Sequence, residues 1–87
     1  MRNTITQDQI ERLMDDAIYR VETVFGKVTI VSCKLKNGFV ITESSGAVDP
    51  ANYSEDIGAQ ICIERIKNRL WELEGYCLQK KLAGELE

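Results

Sequence analysis

The chain has 87 residues, 44% of them hydrophobic and 29% charged, with a formal net charge of −3. That length holds one domain, and the composition is that of a globular protein rather than a disordered one. The negative balance argues against a general DNA or RNA binder, because nucleic-acid affinity rests on phosphate contacts from an excess of Lys and Arg.

The first segment, from about Thr6 to Ala17, predicts a helix. Thr6 or Asp8 can cap it, and Ile10, Leu13, Met14 and Ala17 recur at helical spacing. The period then changes. The runs "IYRVETVFG", "KVTIVSCKLKNG" and "FVITESSG" are rich in β-branched and aromatic residues, and they predict antiparallel strands at about 18–25, 28–36 and 39–45. Asn37-Gly38 predicts a two-residue type I′ hairpin turn, in which both central residues take positive φ, and Gly26-Lys27 marks an earlier turn. Three strands cannot close into a barrel, so one sheet face needs a cover.

The loop "SSGAVDPANYSED" holds the only proline, Pro50, and leads to Ser54, a favourable helix N-cap. Glu55 and Asp56 then fall in the first turn, where the helix dipole favours negative charge. The final helix runs from about Glu55 to Leu82, about 42 Å at 1.5 Å per residue. The expected class is therefore α+β: an N-terminal helix, a three-stranded antiparallel sheet and a long C-terminal helix.

Ala59, Cys62, Ile63, Ile66, Leu70, Leu73 and Cys77 share one stripe of that helix, suited to packing on the sheet or on a partner helix. Ile57, Trp71 and Leu78 lie well off the stripe. A lone sheet covers one helix face, so the second group predicts self-association into a dimer or higher homo-oligomer, the alternative being a monomer in which the N-terminal helix covers that face.

Arg65, Arg69, Glu72 and Tyr76 follow at spacings of four, three and four along the flank of the stripe, with Gly58 leaving bare backbone on the same line. Two readings fit. In one, the arginines are a solvated edge paired with Glu72 and neighbouring carboxylates, worth a few tenths of a kcal/mol. In the other, two guanidinium forks one turn apart grip phosphates while a Tyr or Phe ring stacks on a base.

The chain contains no histidine, which removes the commonest general base and metal ligand. Cys33, Cys62 and Cys77 are odd in number and lack CxxC spacing, which fits a reducing compartment; Cys62 and Cys77 read as small core residues on the helix stripe. No acid/base pair emerges, so the expectation is a binder with no cofactor rather than an enzyme. No apolar run approaches a membrane span, and "MRNTITQDQ" lacks the apolar stretch of a signal peptide, so the expected setting is soluble and intracellular.

The stretch "SSGAVDPANYSEDIGAQICIERIKNRLWELEGYCLQ", together with "NGFVITESS" before it, resembles a family of small proteins of tailed bacteriophages that includes the anti-Thoeris "sponge" proteins. "LWELEGYCLQ" is the most specific part. The resemblance implies a helix-mediated oligomer in the host cytoplasm that binds cyclic ADP-ribose-type or cyclic-oligonucleotide immune signals without cleaving them. It implies that Phe39 stacks on adenine and that Arg65 and Arg69 meet the pyrophosphate. The "VDPANY" loop would close over the ligand, with Asp49 and Asn52 as polar contacts. Tyr76 adds a second ring to the set. Asp49 departs from the pattern, since some sponges carry a neutral polar residue there and an acid repels a pyrophosphate. The alternative function is a protein–protein module that acts on a host protein through the Trp71/Leu78 face.

Overall fold

A computed structural model describes residues 4–85. In chain order it contains helix α1 (Gln7–Asp15), strands β1 (Ile18–Val24), β2 (Val28–Lys34) and β3 (Val40–Gly46), a 3₁₀ turn (Pro50–Asn52) and helix α2 (Glu55–Leu82). The expected α+β architecture is present.

Thr6 starts α1 through a capping box. Its hydroxyl accepts from the Gln9 N–H at 3.3 Å, and the Gln9 side-chain oxygen accepts from the Thr6 N–H at 3.0 Å. Ser54 caps α2 by accepting from the Ile57 N–H. The strands form one antiparallel sheet in the order β1-β2-β3, with Val21 opposite Val31 and Val31 opposite Glu43.

The two hairpins differ from expectation in opposite ways. Between β1 and β2, Phe25 and Gly26 have φ of 55° and 67°, and the Lys27 N–H donates to the Val24 carbonyl. Those are the two positive φ values of a type I′ turn, placed on Phe25-Gly26 instead of Asn37-Gly38. Between β2 and β3, Gly38 has φ of 95° and Asn37 is not in the positive-φ region. Gly38 donates to the Leu35 carbonyl at 2.8 Å, and Leu35 in turn donates to the Phe39 carbonyl at 2.8 Å. The loop is therefore three residues long. Asn37 contributes through its side chain, which accepts from the Phe39 N–H at 3.0 Å.

Period 2 puts Thr29, Val31 and Cys33 on the inner face of β2 and Ile41 on that of β3, all buried. Gly58, Cys62, Ile66 and Leu70 of α2 are buried against them, and α2 lies over β2 and β3 rather than β1. Gly58 marks the closest approach: a Cβ there would sit 2.3 Å from Thr29 Oγ1 and 2.8 Å from Thr29 Cβ. Its backbone is packed on the sheet, not left bare as expected. The buried Thr29 hydroxyl shares a hydrogen bond with Tyr53 OH at 2.6 Å, and Tyr53 OH reaches Thr23 Oγ1 at 2.7 Å. Thr23 Oγ1 donates to the Glu55 carboxylate. This chain of hydroxyls fastens the start of α2 to the sheet.

Two expectations about α2 change. Trp71 is half-buried and packs on the core cluster, and Leu78 is half-buried beside Ile5 and Gln9. The N-terminal segment, through α1, supplies the cover that a three-stranded sheet cannot. Of the second apolar group only Ile57 stays open, at 60% exposure. Cys77, expected in the core, is exposed. The stripe continues past the sheet: a seven-residue strand spans roughly 23 Å, whereas the molecule is 51 Å long.

Candidate ligand site

Two features lie along the seam between α2 and β3. The first is a pair of cations. Arg65 donates from Nη1 to the Ser44 carbonyl at 2.6 Å and forms no ion pair among the described residues. Arg69, one turn further along, holds Nη1 3.8 Å from a Glu43 carboxylate oxygen. Arg65 is thus held by a neutral carbonyl and Arg69 by a carboxylate at the long distance of 3.8 Å. The partners are β3 groups, not the Glu72 expected from helical spacing.

The second feature is an apolar cleft of about 450 Å³ between α1, the β2–β3 turn and α2. Leu13, Leu35, Phe39, Leu70, Leu73 and Cys77 line it, with Lys36, Asn37 and Glu74 as its polar residues. Phe39 pairs with the buried Leu35, so it shares the inner face with Ile41 and Glu43. Phe39 and Glu43 are four residues apart on that face, roughly 13 Å at 3.3 Å per residue. An aromatic ring and the cation pair therefore lie along one seam at a separation that an extended nucleotide-sized ligand would span.

The other expected residues are dispersed. Tyr76 follows Arg69 by two turns on the same flank, is 65% exposed, and has the Lys80 ammonium 5.4 Å from its ring centroid. Asp49 accepts from the Ala51 N–H at 2.9 Å and caps the 3₁₀ turn, so its carboxylate has a structural task. Asn52 lines a smaller hollow of about 130 Å³ with Tyr53, Ile57 and Ile61, at the opposite end of β3 from Phe39. Within one chain the six residues form a string along the seam rather than one cavity. Glu43 is the member that sequence reasoning missed. Its signal was the strand alternation, which sets an acid on the inner face opposite Val31 and so demands a cation from the covering helix.

Burial pushes the Cys33 and Cys62 thiols up, and the Arg65 charge only partly offsets this at Cys62. No cluster of His, Cys, Asp or Glu among the described residues could hold a metal ion, and no described helix is long and apolar enough to cross a membrane.

The family described as "Phage protein (N4 Gp49/phage Sf6 gene 66)" matches residues 5–82, from the residue before the α1 cap to the last residue of α2. The chain belongs to this phage protein family. The matched span contains the whole seam and the whole cleft. No curated protein and no solved structure matches the chain.

Proposed function

We propose that this phage protein binds and withholds a small anionic immune signal, of the cyclic ADP-ribose or cyclic-oligonucleotide class, without cleaving it. The observation that carries the reading is the Arg65–Arg69 pair on the β3 seam, two guanidinium groups one turn apart, one on the Ser44 carbonyl and the other 3.8 Å from the Glu43 carboxylate. Phosphate oxygens would replace the Ser44 carbonyl and Glu43 as acceptors, and each charge-assisted fork would hold one phosphoryl group. The Phe39 ring would take a base at the cleft. Membership of a phage family and resemblance to the sponge proteins support the same reading. Sequestration needs tight binding and no chemistry. Nanomolar affinity corresponds to about −12 kcal/mol, within reach of one stacked base and two phosphate contacts in a preformed site.

The reading places the protein in the host cytoplasm, where such signals act, and includes assembly of the chain with itself. Action on a host protein through Trp71 and Leu78 is less favoured, because both side chains are half-buried in the free chain. The test is thermal unfolding with a panel of cyclic ADP-ribose isomers and cyclic dinucleotides, followed by denaturation and mass analysis of the released ligand. A melting rise of several degrees with intact ligand is expected. An unmoved melting temperature across the panel, or recovery of cleaved ligand, contradicts the proposal.

A further inference from the structure

Helix α2 covers β2 and β3; on the inner face of β1 Tyr19 is held by the Met14 carbonyl and Thr23 by Tyr53 and Glu55, while the outer face is exposed and the outer edge pairs with no described strand. Ile18 is 71% exposed and Val21 42%, and no residue of the strand is buried. An uncovered seven-residue edge is a template for another strand, and proteins usually blunt such an edge with charged side chains or proline. Strand β1 has no proline, and its two charges are of opposite sign. It reads Ile-Tyr-Arg-Val-Glu-Thr-Val, with one cation and one anion placed symmetrically about Val21. Arg20 and Glu22 project from the outer face and now meet each other at 2.9 Å, both well exposed.

The geometry points to β1 as a self-complementary interface that pairs antiparallel with β1 of a second copy, centred on Val21. In that register Arg20 lies opposite Glu22 of the second copy, and Glu22 opposite its Arg20. Ile18 then faces Val24, and Tyr19 faces Thr23. Every cross-strand pair is compatible, and the contact is isologous, as a two-fold axis requires. Competing registers are worse. A shift of two residues in one direction sets Arg20 against Arg20, and in the other Glu22 against Glu22. A shift of one residue turns the second copy over and puts inner-face residues opposite outer-face ones. The product is a continuous six-stranded sheet with both α2 helices on one side. Tyr19 and Val21 of both copies floor the trough between them. This surface is distinct from α2, and its test uses no ligand, so it stands or falls apart from the proposed binding activity.

Sedimentation velocity on the full chain across a concentration series tests it. The wild type, 9.9 kDa per chain, should sediment at twice that mass. Arg20→Glu alone and Glu22→Arg alone each set like charges across the two-fold axis. Each should weaken association by about tenfold or more, with an unchanged far-UV circular dichroism spectrum. An equimolar mixture of the two variants restores both opposite-charge pairs and should recover the dimer. A monomeric wild type overturns the inference. So does an assembly whose affinity neither substitution alters, since that would use another face, and so does a mixture that stays monomeric while both variants are folded.

Discussion

Arg69 places its guanidinium 3.8 Å from the Glu43 carboxylate, a pairing between α2 and β3 that holds the cation on the seam while also competing for it. Replacing Glu43 with Gln should therefore raise affinity for an anionic ligand by up to about tenfold. Stability should fall by about 1 kcal/mol or less, because the pair is long, its Arg69 partner is half-exposed, and Gln removes the partly buried charge rather than leaving it unpaired. Calorimetric titration and urea unfolding of Glu43→Gln read both effects. Weaker anion binding would show that Glu43 orients Arg69 rather than competes for it.

Two glycines of the same helix should respond with opposite sign. Gly58→Ala forces a methyl group against Thr29 and should destabilise by about 1–3 kcal/mol. A Cβ at Gly75 meets nothing within 4 Å, so Gly75→Ala should stabilise by up to about 1 kcal/mol through helix propensity alone. Midpoints of urea unfolding check the pair. Equal shifts would mean that helix propensity, and not contact with the sheet, governs both sites.

Much of the fold was legible because its signals are local. Ser54 followed by Glu55 and Asp56 fixed the start of α2, and the 3.6 period fixed its buried face. The failures have non-local causes. Asn37 can satisfy a turn with its side-chain oxygen as well as by positive φ, so "NG" alone does not choose between a two-residue and a three-residue loop. Phe25 takes a left-handed conformation that its own chemistry disfavours. Periodicity told which face of α2 carries Cys77 but not where the sheet beneath it ends. The covering of Leu78 depends on where the N-terminal segment docks. The candidate site was legible as far as Arg65 and Arg69 share a helix flank. Their acceptors, Ser44 and Glu43, required the strand register.

Thiol reactivity separates the three cysteines. Cys77 is exposed, whereas Cys33 and Cys62 are buried with their thiols pushed up by that burial. A disulfide reagent at neutral pH should modify one thiol per chain quickly and all three only in denaturant. A second fast thiol in the native state would contradict the packing of α2 on β2.

Alkaline pH should loosen the fold through Tyr19. Burial, together with the neighbouring Cys33 thiol, pushes its phenol up to about 12, while its OH donates to the Met14 carbonyl at 2.8 Å. A folded-state pKa above the ordinary value of about 10 stabilises fully below that pH and is lost as pH rises from about 10 toward 12. An ultraviolet titration of phenolate should lose a late-ionising component in Tyr19→Phe. A substitution that leaves the high-pH end of the titration unchanged would contradict it.

The most direct measurement of the proposed sequestration is calorimetric titration of cyclic ADP-ribose isomers and cyclic dinucleotides into the wild type and into Arg65→Ala and Arg69→Ala. Saturable, stoichiometric binding by the wild type, weakened by about a hundredfold or more in each folded variant, is the expected result. Wild-type affinity retained in both variants, or no binding of any ligand in the panel, would contradict it.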